Sequence, residues 1–162
     1  MSTIFSGAEL INIAIDIERR GISFYDVMAK SSENDLARAA FAGLAGMERE
    51  HLKTFQGMLR ENDAEQSRET PPAEYPAYVR SLIDAAVFSD DLITGEMATQ
   101  ADTDVKAVEL GINAEKDSLL FYYEMRDSLP HRVLPVINRI IAEEKTHLQQ
   151  LAEIKRELTA SR

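Results

Sequence analysis

Four glutamates and two histidines in this sequence recur at matched spacing and are its best candidates for chemistry. Glu48 and His51 stand three residues apart in the run Glu-Arg-Glu-His-Leu, and Glu144 and His147 stand three apart in Glu-Lys-Thr-His-Leu. On a helix, residues three apart lie about 60° apart around the axis and about 4.5 Å along it, so both side chains can reach one ion. Glu18 and Glu115 complete the set. Each begins a stretch that reaches a tyrosine seven residues on, Tyr25 and Tyr122. Carboxylate oxygen combined with imidazole nitrogen suits iron, manganese or zinc, and four carboxylates offset the charge of two divalent ions.

These residues belong to an internal repeat. Ala14 to Tyr25 lines up with Gly111 to Tyr122 at an offset of 97 residues, and Glu48 lines up with Glu144 at an offset of 96. Followed at alternating steps of three and four, each segment yields an apolar stripe interrupted by a short polar layer. The stripes run Ile11, Ala14, Glu18, Gly21, Tyr25, Met28 and Val108, Gly111, Glu115, Ser118, Tyr122, Met125 in the Glu-and-Tyr segments. In the Glu-x-x-His segments they run Phe41, Leu44, Glu48, His51, Phe55, Met58 and Ile137, Ile140, Glu144, His147, Leu151, Ile154. An ionised carboxylate on a core stripe costs several kcal/mol unless it is paired or bound to a cation. The acids Glu50, Glu109 and Glu143 fall off the stripes and read as surface charges. His131, in a turn beside Pro130, reads as solvated.

The elements that must position these groups are helical. The periodicity predicts helices over Ser6–Lys30, Asn34–Asn62, Thr103–Asp127 and Val133–Thr159, with Ser6 as an N-cap and Glu9 as its capping-box partner. No strand-like alternation of useful length is visible. Helices near 25 residues are about 37 Å long. Short links join the first helix to the second and the third to the fourth, which makes antiparallel hairpins. Between the hairpins lies a crossover containing Pro71, Pro72 and Pro76, a predicted short helix over Ala77–Phe88 and a bend at Gly95. The expected fold is all-α: a four-helix bundle of two antiparallel hairpins joined by a long crossover with a short helix, forming one domain over residues 1–162. The apolar crossover helix either covers the bundle or packs on a second copy, making a homodimer.

Composition narrows the function classes. The chain has 162 residues, and 18 Lys+Arg against 28 Asp+Glu give a formal charge of −10. That balance argues against nucleic acid and against an anionic membrane surface. No cysteine is present, which removes disulfides, thiol catalysis, iron–sulfur clusters and Cys-ligated zinc. The N-terminal stretch lacks the basic segment of a secretory signal and no apolar run approaches a membrane span, so a cytoplasmic location is expected.

The paired Glu-x-x-His motifs, in register with matched Glu-and-Tyr helices, resemble the ferritin-like superfamily. Within it the chain is most similar to the di-iron domain of rubrerythrins, over nearly its whole length. The resemblance implies that Glu48 and Glu144 bridge two irons, that Glu18 and Glu115 are terminal ligands, and that His51 and His147 each cap one metal. It gives Tyr25 and Tyr122 the role of hydrogen-bond donors behind those ligands. It implies an oxidoreductase reacting with hydrogen peroxide or dioxygen, of peroxidase or ferroxidase type; the alternative is an iron-binding or storage module without turnover. Rubrerythrins proper also carry a rubredoxin module whose iron is held by four cysteines, which this sequence lacks. An external electron donor, such as a small redox protein, is therefore expected. Rubrerythrins have a further carboxylate on the third helix, whereas the neighbours of Glu115 on that face are Gly111, Ile112, Ser118 and Leu119. The set of six ligands is closer to that of bacterioferritin-type sites.

Overall fold

The computed structural model describes residues 3–5, 7–65, 73–75, 81–82 and 103–160. Four long helices dominate these residues: α1 (Gly7–Ser31), α2 (Asp35–Glu65), α3 (Asp104–Ser128) and α4 (Leu134–Ala160). Each matches its sequence expectation to within a few residues at either end. Among the described residues, none of these helices is long and apolar enough to cross a membrane.

Local chemistry sets the helix ends. Asn34 caps α2 by accepting from the Ala37 N–H at 3.1 Å. Thr103 caps α3 in the same way, accepting from the Lys106 N–H at 3.3 Å. Each cap satisfies an amide that the helix itself leaves unpaired. The Asn34 N–H also donates to Asp104 Oδ2 at 2.8 Å, which ties the entry of α2 to the entry of α3. Helix α3 stops at Leu129, whose extended backbone precedes Pro130; the residue before a proline is biased away from helical geometry. A single 3-10 turn, His131–Val133, then leads into α4. His131 is exposed there, as expected. Pro135 falls in the first turn of α4, where a missing N–H costs nothing.

Helix α1 lies along α2 and α3 along α4, and the two hairpins meet where α1 faces α3 and α2 faces α4. The interior forms two apolar clusters. One gathers Leu10, Ile11, Phe55, Met125, Ile137 and Ile140; the other gathers Phe24, Met28, Phe41, Leu44, Val108 and Leu151. Between them in sequence and along each helix sit the buried glutamates and histidines.

The structure departs from expectation in one element. Thr3–Phe5 (β1) pairs antiparallel with Ala73–Tyr75 (β2), Thr3 opposite Tyr75. Three residues are too few for alternation to register in the sequence. Ser81 and Leu82 are helical; the rest of the Ala77–Phe88 helix, the Ser6 cap and the bend at Gly95 lie outside the described residues.

Gly111 of α3 packs tightly against both its own hairpin partner and the other hairpin. A Cβ there would meet Leu151 Cδ1 at 3.2 Å and Tyr25 Cε1 at 3.4 Å. Gly43, on the exposed face of α2, has nothing within 4 Å of such an atom. Gly111→Val should therefore destabilise the protein by about 1–3 kcal/mol through overpacking, whereas Gly43→Ala should stabilise it by about 0.5–1 kcal/mol through helix propensity. Urea unfolding of the two variants measures both.

Candidate metal centre

The four stripes converge. Glu18 and Tyr25 come from α1, Glu48 and His51 from α2, Glu115 and Tyr122 from α3, Glu144 and His147 from α4, and all eight are buried. The six donors form two overlapping groups. Glu18, Glu48, His51 and Glu144 make one; Glu48, Glu115, Glu144 and His147 make the other; within each, the donor atoms lie within 4.8 Å of one another. Glu48 and Glu144 belong to both groups, as shared carboxylates would. The His51 and His147 rings stack across the layer at 5.6 Å between centroids.

Both imidazoles turn Nδ1 inward. His51 Nδ1 is 2.9 Å from Glu144 Oε1 and 3.1 Å from Glu48 Oε2. His147 Nδ1 is 3.2 Å from Glu144 Oε2 and 3.5 Å from Glu48 Oε1. The tyrosines cross between hairpins. Tyr25 of α1 donates to Glu115 of α3, and Tyr122 of α3 donates to Glu18 of α1. Each thus braces the terminal acid of the opposite hairpin, orienting one carboxylate oxygen and leaving the other for a ligand.

The protein alone balances the charge of this layer with protons. Burial, with the Glu48 charge added, pushes the Glu18 carboxyl well above the usual carboxylate range. Burial and the Glu144 charge do the same to Glu115. Burial would raise Glu48 and Glu144 as well, but their contacts with the two imidazoles hold both below the usual range. Burial would lower the imidazoles, yet the carboxylates around them outweigh it: His147 is pushed up to about 12, and His51 is raised further. Two imidazolium ions thus face two carboxylates and two neutral acids. Burial, reinforced by Glu115 and Glu18 respectively, keeps Tyr25 and Tyr122 as neutral donors.

The donor set fits two divalent cations. Its atoms are oxygen and imidazole nitrogen, it is shielded from water, and its formal charge of four carboxylates matches two such ions. Glu144 Oε1 is buried without a well-aligned hydrogen bond, an acceptor with capacity to spare for a cation. A small cavity reaches the layer between α1 and α3, lined by Ile17, Glu18, Gly21, Tyr25, Glu48, Ala114, Glu115 and Ser118. Its volume of about 10 Å³ is near the minimum for one water.

Glu143 corrects a sequence expectation. Rather than a surface charge, it is 34% exposed and its Oε2 lies 2.8 Å from His51 Nε2, on the outward edge of the ring. The stripe passes over it because it precedes Glu144 by one position; such flanking residues can still reach the facing helix. Glu50 and Glu109 do behave as surface acids, paired with Lys53 at 2.6 Å and Lys155 at 2.9 Å.

The shifted groups imply a pH dependence. Glu18, Glu115, His51 and His147 are all raised on folding, so their stabilising contribution is complete below their unfolded values and is lost as pH rises toward the folded ones. Glu48 and Glu144 are lowered, and theirs is lost as pH falls below 4.5. The metal-free protein should therefore be most stable near pH 4.5, lose stability above it as Glu18 and Glu115 lose their advantage, and lose it more steeply above 6.5 as the two imidazoles join them. Thermal melts of chelator-treated protein across pH measure this. Metal binding has the opposite sign, because the ligands must deprotonate. Filling both positions near neutral pH should release protons, about two from the imidazolium ions and further ones from the raised Glu18 and Glu115 carboxyls. Calorimetric titration in buffers of different ionisation enthalpy counts them; a release of none would mean that the layer is not neutralised in this way.

The comparisons agree with this geometry. The family model described as Rubrerythrin matches residues 9–155. A crystal structure from Thermotoga maritima, described as that of a ferritin-like diiron-carboxylate protein, superposes with a TM-score of 0.74 at 26% identity, covering 97% of this chain and 99% of that one. No curated protein matches the chain. The four-helix arrangement, the carboxylate–histidine layer and the match over residues 9–155 together make this chain a member of the rubrerythrin family.

Proposed function

We propose that the protein is a di-iron oxidoreductase that reduces a small oxidant, hydrogen peroxide or dioxygen, with electrons from an external donor such as a small redox protein. The observation that carries this reading is a buried six-donor layer with a cavity of about 10 Å³ against it. That space is on the scale of a single water and far below an organic substrate, which favours a small oxidant as the reacting partner. Two irons held by Glu18, Glu48, His51, Glu115, Glu144 and His147 would supply the redox equivalents.

The chain's own residues prepare the site. Glu48 and Glu144, shared by both donor groups, set the separation of the two positions. Tyr25 and Tyr122 keep their protons and hold Glu115 and Glu18 in place. Gly21 and Ala114 keep the cavity open where larger side chains would fill it. The two apolar clusters on either side exclude bulk water.

Two experiments test the reading. Elemental analysis after anaerobic ferrous loading should find about two irons per chain, and the double variant Glu48→Ala/Glu144→Ala should lose both while keeping its helical circular dichroism. Stopped-flow mixing of the ferrous protein with hydrogen peroxide or with dioxygen should show rapid iron oxidation by at least one of them. Bound iron inert to both oxidants would sink the oxidoreductase reading in favour of iron binding alone.

A further inference from the structure

The two donor groups are related by the internal repeat, but their surroundings are not. On the outward edge of His51, Nε2 meets the Glu143 carboxylate at 2.8 Å. Arg139 approaches the other oxygen of that carboxylate at 3.9 Å from one turn earlier on α4. On the outward edge of His147, Nε2 is buried and has no hydrogen-bond partner among the described residues. The repeat offset explains the difference. Shifted by 96 residues, Glu143 corresponds to Met47 and Arg139 to Gly43. A thioether is a weak acceptor, Met47 is 40% exposed, and glycine carries no side chain. The first hairpin thus has neither member of the pair that the second hairpin directs at its neighbour's histidine.

We propose that Glu143 is a positioning residue that makes the two metal positions unequal, with the His51 position the tighter of the two. This rests on the di-metal reading of the site. A carboxylate accepting from Nε2–H fixes the tautomer that leaves the Nδ1 lone pair facing the carboxylate layer. It also increases the electron density on the ring, so Nδ1 becomes a stronger ligand. An outer carboxylate of this kind changes metal affinity by about 10–100-fold. The first ion therefore enters among Glu18, Glu48, His51 and Glu144. The second, among Glu48, Glu115, Glu144 and His147, is held more weakly and exchanges first.

Anaerobic titration of the metal-free protein with Co(II), followed by its visible absorption and by competition with a chelator, tests this without reference to activity. Wild type should bind two Co(II) in steps separated by about tenfold or more. Glu143→Gln should weaken the tighter step by about tenfold and leave the weaker one in place, bringing the two together. Glu143 lies on the partly exposed edge of the bundle, so this variant should keep the fold. In the opposite direction, Gly43→Arg with Met47→Glu should install the missing pair beside His147 and tighten the weaker step. Equal steps in wild type, or an unchanged tighter step in Glu143→Gln, overturns the proposal. Failure of wild type to bind Co(II) at all overturns instead the di-metal reading beneath it.

Discussion

Everything in this bundle is arranged around one electrostatic constraint. Four carboxylates and two imidazoles lie buried in a single layer, where an uncompensated charge costs several kcal/mol. The layer interrupts the apolar interior and leaves two separate clusters. Such an interior is tolerable only if the layer is neutral. Without metal, protons on Glu18, Glu115, His51 and His147 achieve this; with metal, two cations replace them. The tyrosines hold one oxygen each of Glu115 and Glu18 under either condition, because their own protons stay in place. A layer built this way would exchange protons for metal, whatever redox chemistry is built on it.

Much of this was legible in the sequence, for a specific reason. A carboxylate on a core stripe is costly enough to stand out, and an internal repeat that reproduces it twice removes coincidence. The stripe residues from Ile11 to Met28, Phe41 to Met58 and Ile137 to Ile154 are buried as the periodicity required. Less legible were the flanking core residues Leu10, Ile15, Phe24, Ala40 and Phe121. A bundle interior is wider than a stripe drawn at steps of three and four. Glu143 was misread for the same reason, since its position is a boundary whose role depends on the facing helix. The crossed pairing of Tyr25 with Glu115 and Tyr122 with Glu18 was also invisible, because spacing along one helix says nothing about partners on another. The short β1–β2 pairing left no periodic signal to find.

The geometry ties function to size and access as much as to ligand type. The cavity opens between α1 and α3 beside Gly21, Ala114 and Ser118, on the face carrying the terminal acids Glu18 and Glu115. The imidazoles come from the other two helices, α2 and α4. The cavity thus faces the oxygen-rich side of the layer. On the nitrogen-rich face, His51 Nε2 meets Glu143 and the Nε2 edge of His147 is buried.

The crossed contacts have a consequence for what kind of object the chain is. Neither hairpin holds a full donor group: the first supplies Glu18, Glu48 and His51 and must borrow Glu144, while the second must borrow Glu48. The molecule behaves as two copies of one helical hairpin on a tether. The tether makes their association intramolecular, at an effective concentration that free hairpins would reach only in the millimolar range. It also permits divergence. Two free, identical hairpins would impose strict two-fold symmetry and two identical metal positions. Once joined in one chain, the copies can differ residue by residue, as Gly43 and Met47 differ from Arg139 and Glu143. Covalent linkage is what would let a symmetric architecture hold two metals with different tenacity.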